Sequence, residues 1–208
     1  MTTIVHEVVN PRSSRTAVVA LVVGAILLGI TLNVDNGTWQ FYAAGFALAA
    51  TWVTAYAIAP TQPRLDRRRT RDACIGALIG CAMFGIFIVG SWVMHSVNVF
   101  DRAVDDLLAT ADSAAVGWVL ALAGVNAVAE ELFFRGTLID ATRRRFAYTA
   151  GIGPYVFSSV PSGNIALVIA AAVMGTVFTV LRMRTGALTA SITTHLVWSA
   201  LMILAFPR

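Results

Sequence analysis

Long apolar runs separated by short polar ones dominate this chain, near residues 16–32, 38–59, 73–98, 114–134, 146–160, 165–181 and 187–206. A helix rises about 1.5 Å per residue, so about 20 such residues cross a hydrocarbon core of roughly 30 Å. The pattern predicts an all-α fold, a polytopic transmembrane helix bundle of about seven spans, with six to eight as its bounds. The fifth and sixth runs are short, and "VPSGN" between them reads as a tight turn. That pair is expected as a hairpin of tilted or partly re-entrant helices.

No internal repeat, low-complexity tract or soluble domain interrupts the pattern. Residues 1–15 read as a cytoplasmic tail, retained because no small-residue cleavage site follows the first apolar run, and 16–208 read as a single transmembrane domain. Within it, "PTQPRLDRRRTRD" is a candidate hinge between two leading spans and five later ones. Composition agrees with a bilayer. The chain has 208 residues, 58% hydrophobic and 12% charged, more apolar surface than a soluble domain of that length can hide. Trp39 and Trp92 fall near span ends, where they suit interfacial anchoring. Gly85, Gly90 and Gly175 suit close helix packing, and Trp198 suits packing or the wall of a cavity. Cys74 and Cys81 lie seven apart, about 10 Å along a helix, too far for a disulfide, and read as packing residues.

Charge gives the expected topology. All 15 basic residues are arginines. With the spans alternating, Arg12, Arg15, Arg64, Arg67, Arg68, Arg69, Arg71, Arg143, Arg144, Arg145, Arg182 and Arg184 fall on one side, and only Arg102 and Arg208 on the other. The positive-inside rule then puts the amino terminus in the cytoplasm and the carboxyl terminus outside, in a multi-pass protein of the plasma membrane. These arginines flank spans in short loops, so the lipid bilayer is the expected partner and nucleic acid is not.

Against that background "VAEELFFRG", residues 128–136, stands out. An ionisable residue inside a span costs about 2.5 to 3.5 kcal/mol on insertion scales, which marks it as a candidate for function. Arg135 is the natural partner of Glu131, four residues on and on the same face. Glu130 points about 100° away and is left for something else. A helix end reaching for the interface would explain one acidic residue. It explains a Glu pair less well, because carboxylates oppose the dipole at a helix carboxyl terminus. In the last run, Ser191, His195 and Ser199 share a face at four-residue spacing. A lone intramembrane His is commonly a packing residue, but a carboxylate at similar depth makes it a candidate for chemistry. His6, in the tail, reads as a solvent residue, and His95 lies near the outer end of its span, too far from Glu130 to join it.

"EELFFRG" fits the EExxxR pattern, and "VFTVLRMRTGALTASITTHLVWSAL" places an RTG turn ten residues before His195. Over about residues 115–206 the chain resembles the CPBP family, intramembrane proteases that include the type II CAAX prenyl endopeptidases. The resemblance implies that Glu130 activates a water, that Glu131 and Arg135 support it, and that His195 is an oxyanion donor or a second polar contact, with Ser199 at the place of the family's closing polar residue. There are two departures. The family's intermediate FxxxH motif should fall near "YVFSSVPSG", yet Pro161 stands four residues after Phe157, and no His lies between Arg135 and His195. Ser199 stands where Asn is usual, offering a hydroxyl and no amide.

Hydrolysis requires a base for the attacking water and donors for the oxyanion. The implied partner is a membrane-associated peptide or protein substrate, prenylated or not, with no cofactor. Glu130 and His195 would supply only two ligands to a zinc ion, where catalytic zinc usually has three from protein. Two other readings stay open: a catalytically degenerate relative acting as a membrane scaffold or binding protein, and a small proton-linked transporter whose relay is the buried Glu, Arg and His. Substrate identity and oligomeric state are not legible in the sequence.

Overall fold

The structure, a computed structural model, describes residues 11–59, 68–95 and 116–205, with the side chains of 11–14 and 92–95 excepted. His6, Arg64, Arg67, Arg102, Arg208, the acidic stretch after residue 100 and the side chains of Arg12, Trp92 and His95 therefore lie outside it. The described residues form seven α-helices with no strand: α1 (Pro11–Asn33), α2 (Trp39–Ile58), α3 (Arg69–His95), α4 (Val116–Glu130), α5 (Ala147–Ser159), α6 (Ile165–Thr185) and α7 (Thr189–Ala205). A π-helical segment, Glu131–Leu138, continues α4.

Five stretches are long and apolar enough to cross a membrane: Arg15–Asn33, Trp39–Ile58, Arg69–Ser91, Val116–Leu138 and Ile165–Thr185. With α5 and α7 they form an all-α membrane bundle close to the seven predicted spans. The α7 helix has 17 residues, at the lower limit for a crossing. The expected short pair is only half short. The α5 helix has 13 residues, about 20 Å, whereas α6 runs to 21 because "LRMRT" continues the helix that hydropathy alone would end at 181.

Local sequence fixes the helix ends. Thr38 Oγ1 accepts from Phe41 N ahead of α2, and Asn164 Oδ1 accepts from Leu167 N ahead of α6, each satisfying an orphan donor of a first turn. Gly163 (φ 70°) makes the turn into α6, and Gly186 (φ 74°) ends it, its N–H returning to Arg182 O.

Outward faces are apolar. Val18, Val22, Ile26 and Ile30 form an exposed row along α1, as do Leu78, Ile86 and Val89 on α3, surfaces that suit lipid and not water. Cys74 and Cys81 also face outward and are free, so they are not the packing residues expected of them.

Inside, α3 lies along α7, and α4 is flanked by α2 and α7. Trp52 of α2, 1% exposed, stacks at 4.5 Å on Phe133, which with Phe134 fills the space behind the π segment. The small residues that let helices touch are Gly76 and Gly80. A Cβ at Gly76 would stand 2.5 Å from Ala190 O and one at Gly80 2.9 Å from Thr194 O, while Thr194 Oγ1 lies 3.0 Å from Gly76 O. Gly85 and Gly90, expected as packing glycines, have nothing within 4 Å. Both lie on a face of α3 that meets none of the described residues, although Phe87 between them packs on Trp198 of α7. Gly175 does pack closely, against Tyr155 at 3.1 Å.

Candidate active site

The α-to-π transition falls between the two glutamates, since α4 ends at Glu130 and the π segment opens at Glu131. A π turn widens the helix and leaves backbone groups needing outside partners, a feature common at functional sites. Here α6 supplies them. Arg182 Nε donates to Arg135 O at 3.1 Å within the segment, and its Nη2 donates to Asp140 Oδ1 at 3.2 Å just beyond it. Arg182 is therefore a buried tie and not a loop arginine as its place in the charge pattern suggested.

Glu131 and Arg135 are both 0% exposed and joined at 2.9 Å. Arg135 Nη2 also donates to Gly175 O at 3.3 Å, and its guanidinium lies 4.4 Å from the Tyr155 ring centre and 5.0 Å from that of Phe178. One buried cation thus meets a carboxylate, a carbonyl and two aromatic faces, which together replace its lost hydration. A Cβ at 175 would crowd the Tyr155 ring at 3.1 Å and meet Arg135 Nη2 in ordinary contact at 3.6 Å.

Glu130 faces elsewhere, as its 100° offset requires. It is half-buried, and its Oε2 accepts from the Tyr155 hydroxyl at 2.9 Å. His195 comes in from α7, 7% exposed, with its ring stacked at 4.8 Å on Phe178 and 6.3 Å from Trp198. Its Nδ1 stands 3.5 Å from Glu131 Oε1 and makes no hydrogen bond among the described residues. Glu130 lies within electrostatic range of His195, Glu131 and Arg135. Four of the residues singled out from the sequence, Glu130, Glu131, Arg135 and His195, are thus gathered in one place. The fifth, Ser199, lies one helical turn beyond His195 and is half-buried. Glu131 Oε2 and the hydroxyls of Thr137 and Thr179 are buried without hydrogen-bond partners among the described residues. Among the described residues no three His, Cys, Asp or Glu side chains are grouped to hold a metal ion.

Residues 112–201 match the family model described as type II CAAX prenyl endopeptidase Rce1-like. Over that stretch the chain is similar to the type II CAAX prenyl endopeptidases. The match holds α4, the π segment, α5, α6 and most of α7, and hence every group of the cluster, while α1–α3 lie outside it. No curated protein and no solved structure matches the chain.

Two members of this cluster, Tyr155 and Arg182, were not singled out from the sequence. Tyr155 had a signal, a phenol within an apolar run on the stretch where the resemblance calls for a histidine. Arg182 had one too, a cation enclosed by "TVL" and "M" in a helix that hydropathy ended one residue earlier.

Proposed function

We propose that the protein is an intramembrane endopeptidase, with the amino terminus cytoplasmic, in which Glu130 is the general base toward a water. The observation that carries this is the division of the glutamate pair: Arg135 neutralises Glu131 in full burial, while Glu130 keeps some exposure and an oxygen without a hydrogen bond among the described residues. Glu130 would take a proton as the water oxygen attacks the peptide carbonyl carbon, and the carbonyl electrons move onto oxygen. His195 and Ser199, from α7, would face that oxyanion. Collapse of the tetrahedral intermediate then breaks the C–N bond as Glu130 returns the proton to the leaving amine, giving a carboxylic acid and an amine.

A scaffold without catalysis is the second reading. It is favoured by the absence of a His between Arg135 and His195. The two separate in proteoliposomes with an internally quenched farnesylated CAAX peptide, a probe chosen from the family description. Cleavage by the wild type and a loss of about 10²- to 10⁴-fold in Glu130→Gln at unchanged thermal stability support the endopeptidase. No cleavage by the wild type, or equal cleavage by Glu130→Gln, overturns it.

A further inference from the structure

Tyr155 is a half-buried polar group to which the hydrolysis above gives no task. Its ring is fully used in packing: Phe134 meets it edge-on at 4.9 Å, Gly175 clears its edge, and Arg135 lies over its face. Phenylalanine would fill that space equally well. The hydroxyl is the addition, and a phenol away from water needs a bonded partner to offset its desolvation. That partner is Glu130 Oε2.

Resting on the endopeptidase reading, we infer that Tyr155 is the positioning residue for the Glu130 carboxylate, standing on the stretch where the resemblance calls for a histidine that this chain lacks. The terminal torsion of a glutamate is soft, so an unbonded carboxylate samples a broad range of planes. A bond from Tyr155 to Oε2 fixes the plane and leaves Oε1 to accept from a water. The phenol is itself held from behind by the Arg135 guanidinium, 4.4 Å from its ring centre. Arg135 thereby serves both glutamates, Glu131 by direct ion pairing and Glu130 through the Tyr155 ring. The charged and titratable groups around Glu130 are Glu131 and Arg135 on its own helix, Tyr155 on α5 and His195 on α7, while α6 presents Phe178 and Gly175.

Tyr155→Phe removes the hydroxyl and keeps the ring, so the fold is retained, checked by an unchanged melting temperature. Loss of a hydrogen bond to a charged group is expected to lower kcat toward the farnesylated peptide about 10- to 100-fold, with KM within about twofold. A merely structural tyrosine would change stability and leave kcat alone. A second readout is independent of turnover: the infrared carboxyl band that disappears in Glu130→Gln is expected to shift in Tyr155→Phe. An unmoved band overturns the inference whatever the cleavage result, as does wild-type kcat in Tyr155→Phe while Glu130→Gln is inactive, which leaves the endopeptidase reading standing. A shifted band with no cleavage by the wild type supports the positioning of Glu130 and overturns the endopeptidase reading instead.

Discussion

Replacing Arg135 by Met tests the electrostatic core of the site. Met keeps an unbranched, apolar chain of similar length and removes the charge, so Glu131, at 0% exposure, loses the partner bonded at 2.9 Å. Breaking a buried ion pair from one side typically costs about 3 to 5 kcal/mol, because an uncompensated charge stays buried. The guanidinium's contacts with Gly175 O, Tyr155 and Phe178 are lost as well. His195 Nδ1, already 3.5 Å from Glu131 Oε1, is near enough to take over in part, so the lower end of that range is expected. For a chain of this size, 3 kcal/mol corresponds to a fall in Tm of about 6 to 12 °C, readable by thermal unfolding in one detergent. The double variant Glu131→Gln/Arg135→Met removes both charges and is expected to recover most of the loss, since buried pairs often exchange for neutral groups at little net cost. A single variant within about 1 kcal/mol of wild type, or a double variant no more stable than the single, refutes the reasoning.

Two further predictions concern the bundle. Gly76→Ala puts a Cβ 2.5 Å from the Ala190 carbonyl, so α3 and α7 must separate, and a loss of about 1 to 3 kcal/mol in thermal unfolding is expected. Gly85→Ala, on the same helix with nothing within 4 Å, is expected to be neutral or to stabilise by up to about 1 kcal/mol. Equal effects from the two would mean that α3 does not pack by this face. Arg182→Met removes the bond from α6 to Arg135 O in the π segment and the bond to Asp140 just beyond it, so amide exchange over 131–138 is expected to accelerate more than exchange in α1. Uniform acceleration would show that the clamp is not local.

The sequence by itself determined the spans and one ion pair. Hydropathy is a local property, and in a bilayer each backbone group must be satisfied within its own helix, so apolar runs map onto helices almost one to one. The Glu131–Arg135 bridge was legible for the same reason, because a separation of four residues fixes neighbours without knowledge of any other helix. The divergence of Glu130 followed from the same periodicity. Its partner did not, because Tyr155 is 25 residues away on another helix, and only the packing of α5 against the π segment brings its hydroxyl to 2.9 Å. The clamp of Arg182 on Arg135 O and Asp140, and the choice of Gly76 and Gly80 over Gly85 and Gly90, depend likewise on which helices become neighbours. Between membrane helices the driving force is close packing and not hydrophobic burial, so apolarity says that a residue lies in the membrane and not which face meets another helix. The tertiary structure alone made that decision, and with it which polar groups share one site.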